Sequence, residues 1–137
     1  MVALSTGRNT AHQTAVALHH ALLTDGQGCT LDFATLTPIA RTDGFVVAVP
    51  GAELRTTGIP SITLIEQWVR EYAEPIAILH EAQGHHCCLG AWVDKGQCYL
   101  DVSTVIDDED AAVAAGRQWR QLAIYDLKRG EALLIAA

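Results

Sequence analysis

The run His80-Glu81-Ala82-Gln83-Gly84-His85-His86-Cys87-Cys88 places five side chains of metal-binding type within nine residues. Zinc accepts imidazole and thiolate together. His80, His85, His86 and Cys87 are therefore candidate ligands, with Glu81 as a candidate general base. The stretch looks like a zinc-peptidase helix, whose two histidines are separated by three residues and share a face. Here the match fails. His80 and His85 are five apart, a rotation of roughly 140° about a helix axis, and Gly84 weakens helix between them. A loop would have to do the gripping. The plainer account is a polar loop entering a buried strand, with Cys88 packed as a small hydrophobe.

Other chemistry is less complete. A thiolate at Cys87 or Cys88 with an imidazole base is a nucleophile of known type. Neighbours on a strand project oppositely, however, so a distant His12, His19 or His20 would have to serve. Asp94, Asp101, Asp107, Asp108, Glu109 and Asp110 could converge on a hard cation, but their spacing is not that of a calcium loop. Turn chemistry, an exposed strand face and helix capping explain them more simply. No glycine-rich phosphate loop or nucleophile elbow is present. Trp68, Trp92 and Trp119 each fall on an apolar-facing position and are expected in or around the core, although one could anchor an interface.

The elements that must position these groups follow from composition and periodicity. A chain of 137 residues with 50% hydrophobic content has material for one core. Sixteen acids against nine bases give a net charge of −7. Bases are scattered singly, without the stripe that a phosphate backbone requires, so direct nucleic-acid binding is disfavoured. No apolar run approaches the ~18 residues that span a bilayer. The stretch from Met1 to Asn9 lacks an apolar core of signal-peptide type, so a cytoplasmic location is expected. Cys29, Cys87, Cys88 and Cys98 are too few and too irregular for a disulfide framework, and free thiols are expected.

Thr10 and Gln13 form a capping-box pair, and Ala11, Ala15, Leu18 and Leu22 make one helical stripe, ended by Asp25-Gly26 and Gly28. Residues from Cys29 to Val49 read as two strands, paired antiparallel and closed by Pro50-Gly51. Ser61 caps a second helix with Leu64, Ile65, Trp68, Val69 and Tyr72 on its buried face; Pro75 ends it or begins a short continuation. Leu89 to Val105 reads as a hairpin around Asp94-Lys95-Gly96. In its second strand Cys98, Leu100 and Val102 oppose Tyr99, Asp101 and Ser103. The acids at 107–110 open a helix whose Ala111, Ala112 and Ala115 allow close approach to a sheet, and a final hairpin turns at Lys128-Arg129-Gly130. The order α-β-β-α-β-β-α-β-β predicts one α+β domain: an antiparallel or mixed sheet of hairpin pairs with about three helices on one face.

Leu89-Gly90-Ala91-Trp92-Val93-Asp94, Tyr99-Leu100-Asp101-Val102-Ser103, Gly116-Arg117 and Gln121 to Leu127 resemble small domains carried on actinobacterial phages, plasmids and integrated elements. The resemblance covers less than a third of the chain and brings no catalytic residues. It implies an accessory gene of a mobile element, acting in the host cytoplasm. With no complete catalytic motif, the expectation is a non-enzymatic interaction protein without a cofactor, binding a host macromolecule such as a protein through acids at Asp101, Asp107, Asp108, Glu109 and Asp110. The alternative is a small zinc-dependent enzyme built on His80 to Cys88. An oligomeric scaffold is a third class, and the oligomeric state stays open.

Overall fold

Among the described residues seven strands form one sheet, and the helices lie on one side of it. The computed structural model describes residues 9–25 and 28–135; the leader expectation for the first residues and the helix stop at Gly26 fall outside them. Helix α1 (Ala11–Asp25) leads to β1 (Gly28–Asp32), β2 (Phe45–Ala48) and β3 (Leu54–Thr57). A continuous rod follows, made of α2 (Ile62–Trp68), a π-helical turn (Val69–Ala73) and α3 (Glu74–Ala82). Strands β4 (His86–Asp94) and β5 (Gln97–Ile106), helix α4 (Glu109–Gln118), and strands β6 (Ala123–Asp126) and β7 (Glu131–Leu134) complete the chain. The sheet runs β1-β4-β5-β2-β6-β7, with β3 also beside β5, and every pairing is antiparallel. This is the expected α+β architecture, with three helical rods. None of the described helices is long and apolar enough to cross a membrane.

Three details depart from expectation. β1 and β2 do not pair with each other: β1 joins β4, and β2 lies between β5 and β6. β3 is a strand that the periodicity did not indicate. It pairs with Gln97 to Leu100 while β2 pairs with Ser103 to Ile106, so the two serve as one interrupted partner of the ten-residue β5. The interruption is Pro50-Gly51, where proline has no amide for the ladder and Gly51 takes φ +95°.

The second departure is the buried stripe of the long rod. It reads Ile65, Val69, Ala73 and Ala77, while Leu64 and Tyr72 are exposed. Four-residue steps drift by about 40° each on an ideal helix. The wide turn, in which the Glu74 amide donates to the Val69 carbonyl, absorbs one extra residue and turns the stripe back to the sheet. That turn also makes room for Pro75, whose ring would collide with the carbonyl four residues earlier in an unbroken α-helix. The rod continues through Pro75 to Ala82.

Third, the close approach of α4 uses Ala112 and Gly116, both buried, rather than Ala111 and Ala115. A Cβ at Gly116 would overlap Ile135 and crowd Ile124. Gly116→Val is expected to cost about 2 kcal/mol by overpacking, read as a lower urea midpoint. An unchanged midpoint would show that the two isoleucines simply step aside.

The core divides into two clusters on the helical side. The larger, centred on Leu18, Leu22, Trp68, Leu89 and Leu100, lies beneath α1 and the long rod. The smaller, Phe45, Val47, Ala112, Ile124 and Ile135, lies beneath α4, and Trp119 packs against both.

Candidate functional site

The expected metal ligands do not share a point. His80 closes α3 and His85 follows it; their rings stack with Nδ1 atoms 3.3 Å apart, and the edge of Trp119 meets both. Burial, then the neighbouring His85, holds the His80 pKa below its ordinary value. Cys87 points into the core, where its Sγ lies 3.5 Å from the Ala77 carbonyl, and burial pushes its pKa up to about 12. His86 occupies the opposite side of the sheet, with Nε2 2.5 Å from Asp32 Oδ2. Burial alone would raise the Asp32 pKa, but His86 and the amides of Thr35 and Ala34 bring it below its ordinary value. Cys88, also at about 12 through burial, is no better placed as a nucleophile. Among the described residues no group of three or more His, Cys, Asp or Glu side chains is arranged to hold a metal ion.

The expected acidic surface also divides. Asp107 is bound by Arg41. Asp108 caps α4, its carboxylate accepting from the Ala111 amide at 2.8 Å. Glu109 and Asp110 are exposed in the first helical turn, where they face the positive end of the helix dipole. Asp101 lies apart from them, midway along β5.

Asp101 belongs to the side of the sheet without helices, and the strand periodicity explains its surroundings. On this side Gly90 faces Asp101 and Cys88 faces Ser103 across β4 and β5, while Ala48 faces Ser103 across β2. Small residues at Gly90, Ala48 and Ser103, between the larger Trp92 and Tyr125, leave a hollow of about 790 Å³ in a twisted sheet. Its floor includes Gly90, Ala48 and Ser103; Trp92 and Tyr125 line it. Trp92 is 43% exposed and stacks on Tyr99 at 4.1 Å, while Tyr125 is 44% exposed. The expectation that Trp92 faces an apolar interior is thus corrected: its strand neighbour Ala91 does so, and Trp92 points to the uncovered side. At one end of the sheet Gly44, from the connection between β1 and β2, sits against Val105.

The Asp101 carboxylate leans across Gly90, where a Cβ would collide with it. It has no hydrogen bond or ion pair among the described residues. Burial, with a smaller contribution from Glu53, raises its pKa to about 6. Among the described residues it is the one lining residue with a formal charge at neutral pH. The alternation of Tyr99, Asp101 and Ser103 indicated this face; that Gly90 lies beneath the carboxylate depends on strand register, which periodicity does not supply. No protein-family model, curated protein or solved structure matches the chain.

Proposed function

We propose that the chain is a non-enzymatic interaction protein that holds a segment of another protein on the uncovered face of its sheet. The observation that carries this reading is the open hollow of about 790 Å³, with small residues on its floor and the half-exposed aromatic rings of Trp92 and Tyr125 along it. Exposed aromatic side chains beside a concavity are the usual anchors of protein recognition. The acidic contribution narrows to Asp101, because Asp107 and Asp108 already serve the fold. The resemblance to mobile-element domains supplies the setting, a host cytoplasm. The metal-dependent alternative needs His80, His85, His86 and Cys87 to converge, whereas binding on the open face needs no such convergence.

The test is affinity capture from a host lysate with three forms of the full chain: the native protein, Trp92→Ala/Tyr125→Ala, and Asp108→Asn/Glu109→Gln/Asp110→Asn. One protein species should be retained by the first and third forms and lost by the second. A partner that survives the aromatic substitutions, or no specific partner at all, would overturn the proposal.

A further inference from the structure

Resting on that reading, we infer that the hollow receives an arginine side chain of an extended partner segment, with the Asp101 carboxylate as its counter-charge. The first ground is the carboxylate itself. The other two strand carboxylates withdrawn from water are each partnered: Asp32 by His86 and two backbone amides, Asp126 by the amides of Lys128 and Arg129 and by the Arg129 side chain. Asp101 has no such partner, and taking a carboxylate out of water without one is costly. A ligand that brings a donor relieves that cost.

The second ground is charge. Among the described residues no lysine, arginine or histidine lines the hollow, and Glu53 adds a further negative charge close enough to act on Asp101. The field therefore selects a cation. The third is shape. A planar guanidinium can take both carboxylate oxygens in a forked pair and lie against an aromatic face, and Trp92 lines the same hollow. The alkyl stem of arginine would find apolar floor at Gly90 and Ala48. The fourth is size: a hollow of about 790 Å³ is too large for one side chain and has room for several residues of a strand-like segment.

The probe is a five-residue peptide, blocked at both ends, with arginine at its centre. Its counterparts carry citrulline, which has nearly the same shape without the charge, or lysine. Binding to the full chain is followed by nuclear magnetic resonance at the Trp92 indole and the Asp101 amide. The arginine peptide should shift both signals and bind about tenfold tighter than the citrulline peptide, the range expected for one charge-assisted pair. Asp101→Asn should abolish that preference. Gly90→Ala, which forces the carboxylate to move, should weaken it.

Equal binding of the arginine and citrulline peptides overturns the inference, as do shifts confined to Glu109 and Asp110. Spermidine binding as tightly as the arginine peptide would also overturn it, in favour of a free polycation. If lysate capture depends on Trp92 and Tyr125 while the peptides show no preference, the charge inference alone fails. If both experiments fail, so does the function proposed for the face.

Discussion

Asp101→Asn is expected to raise stability at neutral pH by on the order of 2 kcal/mol, while removing the charge proposed to recognise the ligand. The sign follows from the carboxyl pKa, raised from 3.8 to about 6 by burial in the hollow and then by Glu53. Between those two values the folded chain keeps a proton that the unfolded chain has released. Stability from this group is therefore full below pH 3.8 and is lost as pH rises through about 6. The full shift corresponds to about 3 kcal/mol; an asparagine in the same place also loses hydration without gaining a partner, so a smaller net gain is expected. Asparagine does not titrate. Urea midpoints of the two proteins should draw apart as pH rises from about 4 to about 6 and keep that separation above it. Parallel curves would show that Asp101 is as well solvated folded as unfolded. A gain in stability at the expense of binding is the usual mark of a group retained for function.

Trp68→Ala should be more damaging than Gly116→Val or any change at Asp101, at about 4 kcal/mol. Trp68 is 3% exposed and lies in the larger core cluster. Its indole N–H donates to the Ala52 carbonyl at 2.5 Å. That bond fastens the long rod to the connection between β2 and β3, just after the Pro50-Gly51 break. Truncation leaves both a large cavity and a buried acceptor without its donor. A fall in melting temperature of roughly 15 °C is expected for a domain of this size. Trp68→Phe keeps most of the volume but loses the bond, and about 1.5 kcal/mol is expected. A loss below about 1 kcal/mol for the alanine variant would mean that the rod collapses into the space.

How much of this was legible in the residues depended on whether the signal was local. The Thr10–Gln13 capping pair forms as read, each side chain bonding the other residue's amide. The β4–β5 hairpin turns at Asp94-Lys95-Gly96 because Lys95 and Gly96 both accept positive φ. Strand pairing across distance was not legible: nothing local separates a β1–β2 hairpin from the β1–β4 pair that forms. The four-residue β3 carries only Leu54 as an apolar marker and depends on β5 for its existence. Trp92 was misplaced because a large aromatic on an alternating strand usually faces the interior, and only the one-sided placement of the helices reverses this. For the candidate site, the sequence indicated the strand face that holds Asp101. It could not show that Asp107 and Asp108 are occupied elsewhere, nor that His86 leaves His80 and His85 for the other side.

The division of the interior bears on how a ligand would be felt. Among the described residues Trp119 alone is shared by the two apolar clusters, and the smaller has five buried members, so α4, β6 and β7 are expected to form the unit most easily released. The hollow straddles this seam: Trp92 and Gly90 belong to the strand framed by the larger cluster, Tyr125 and Ala132 to strands held by the smaller. A guest seated there would touch both units and lose contacts if they parted. Occupancy would therefore tighten the weaker unit without any change of shape, making its opening rate a gauge of whether the partner is present.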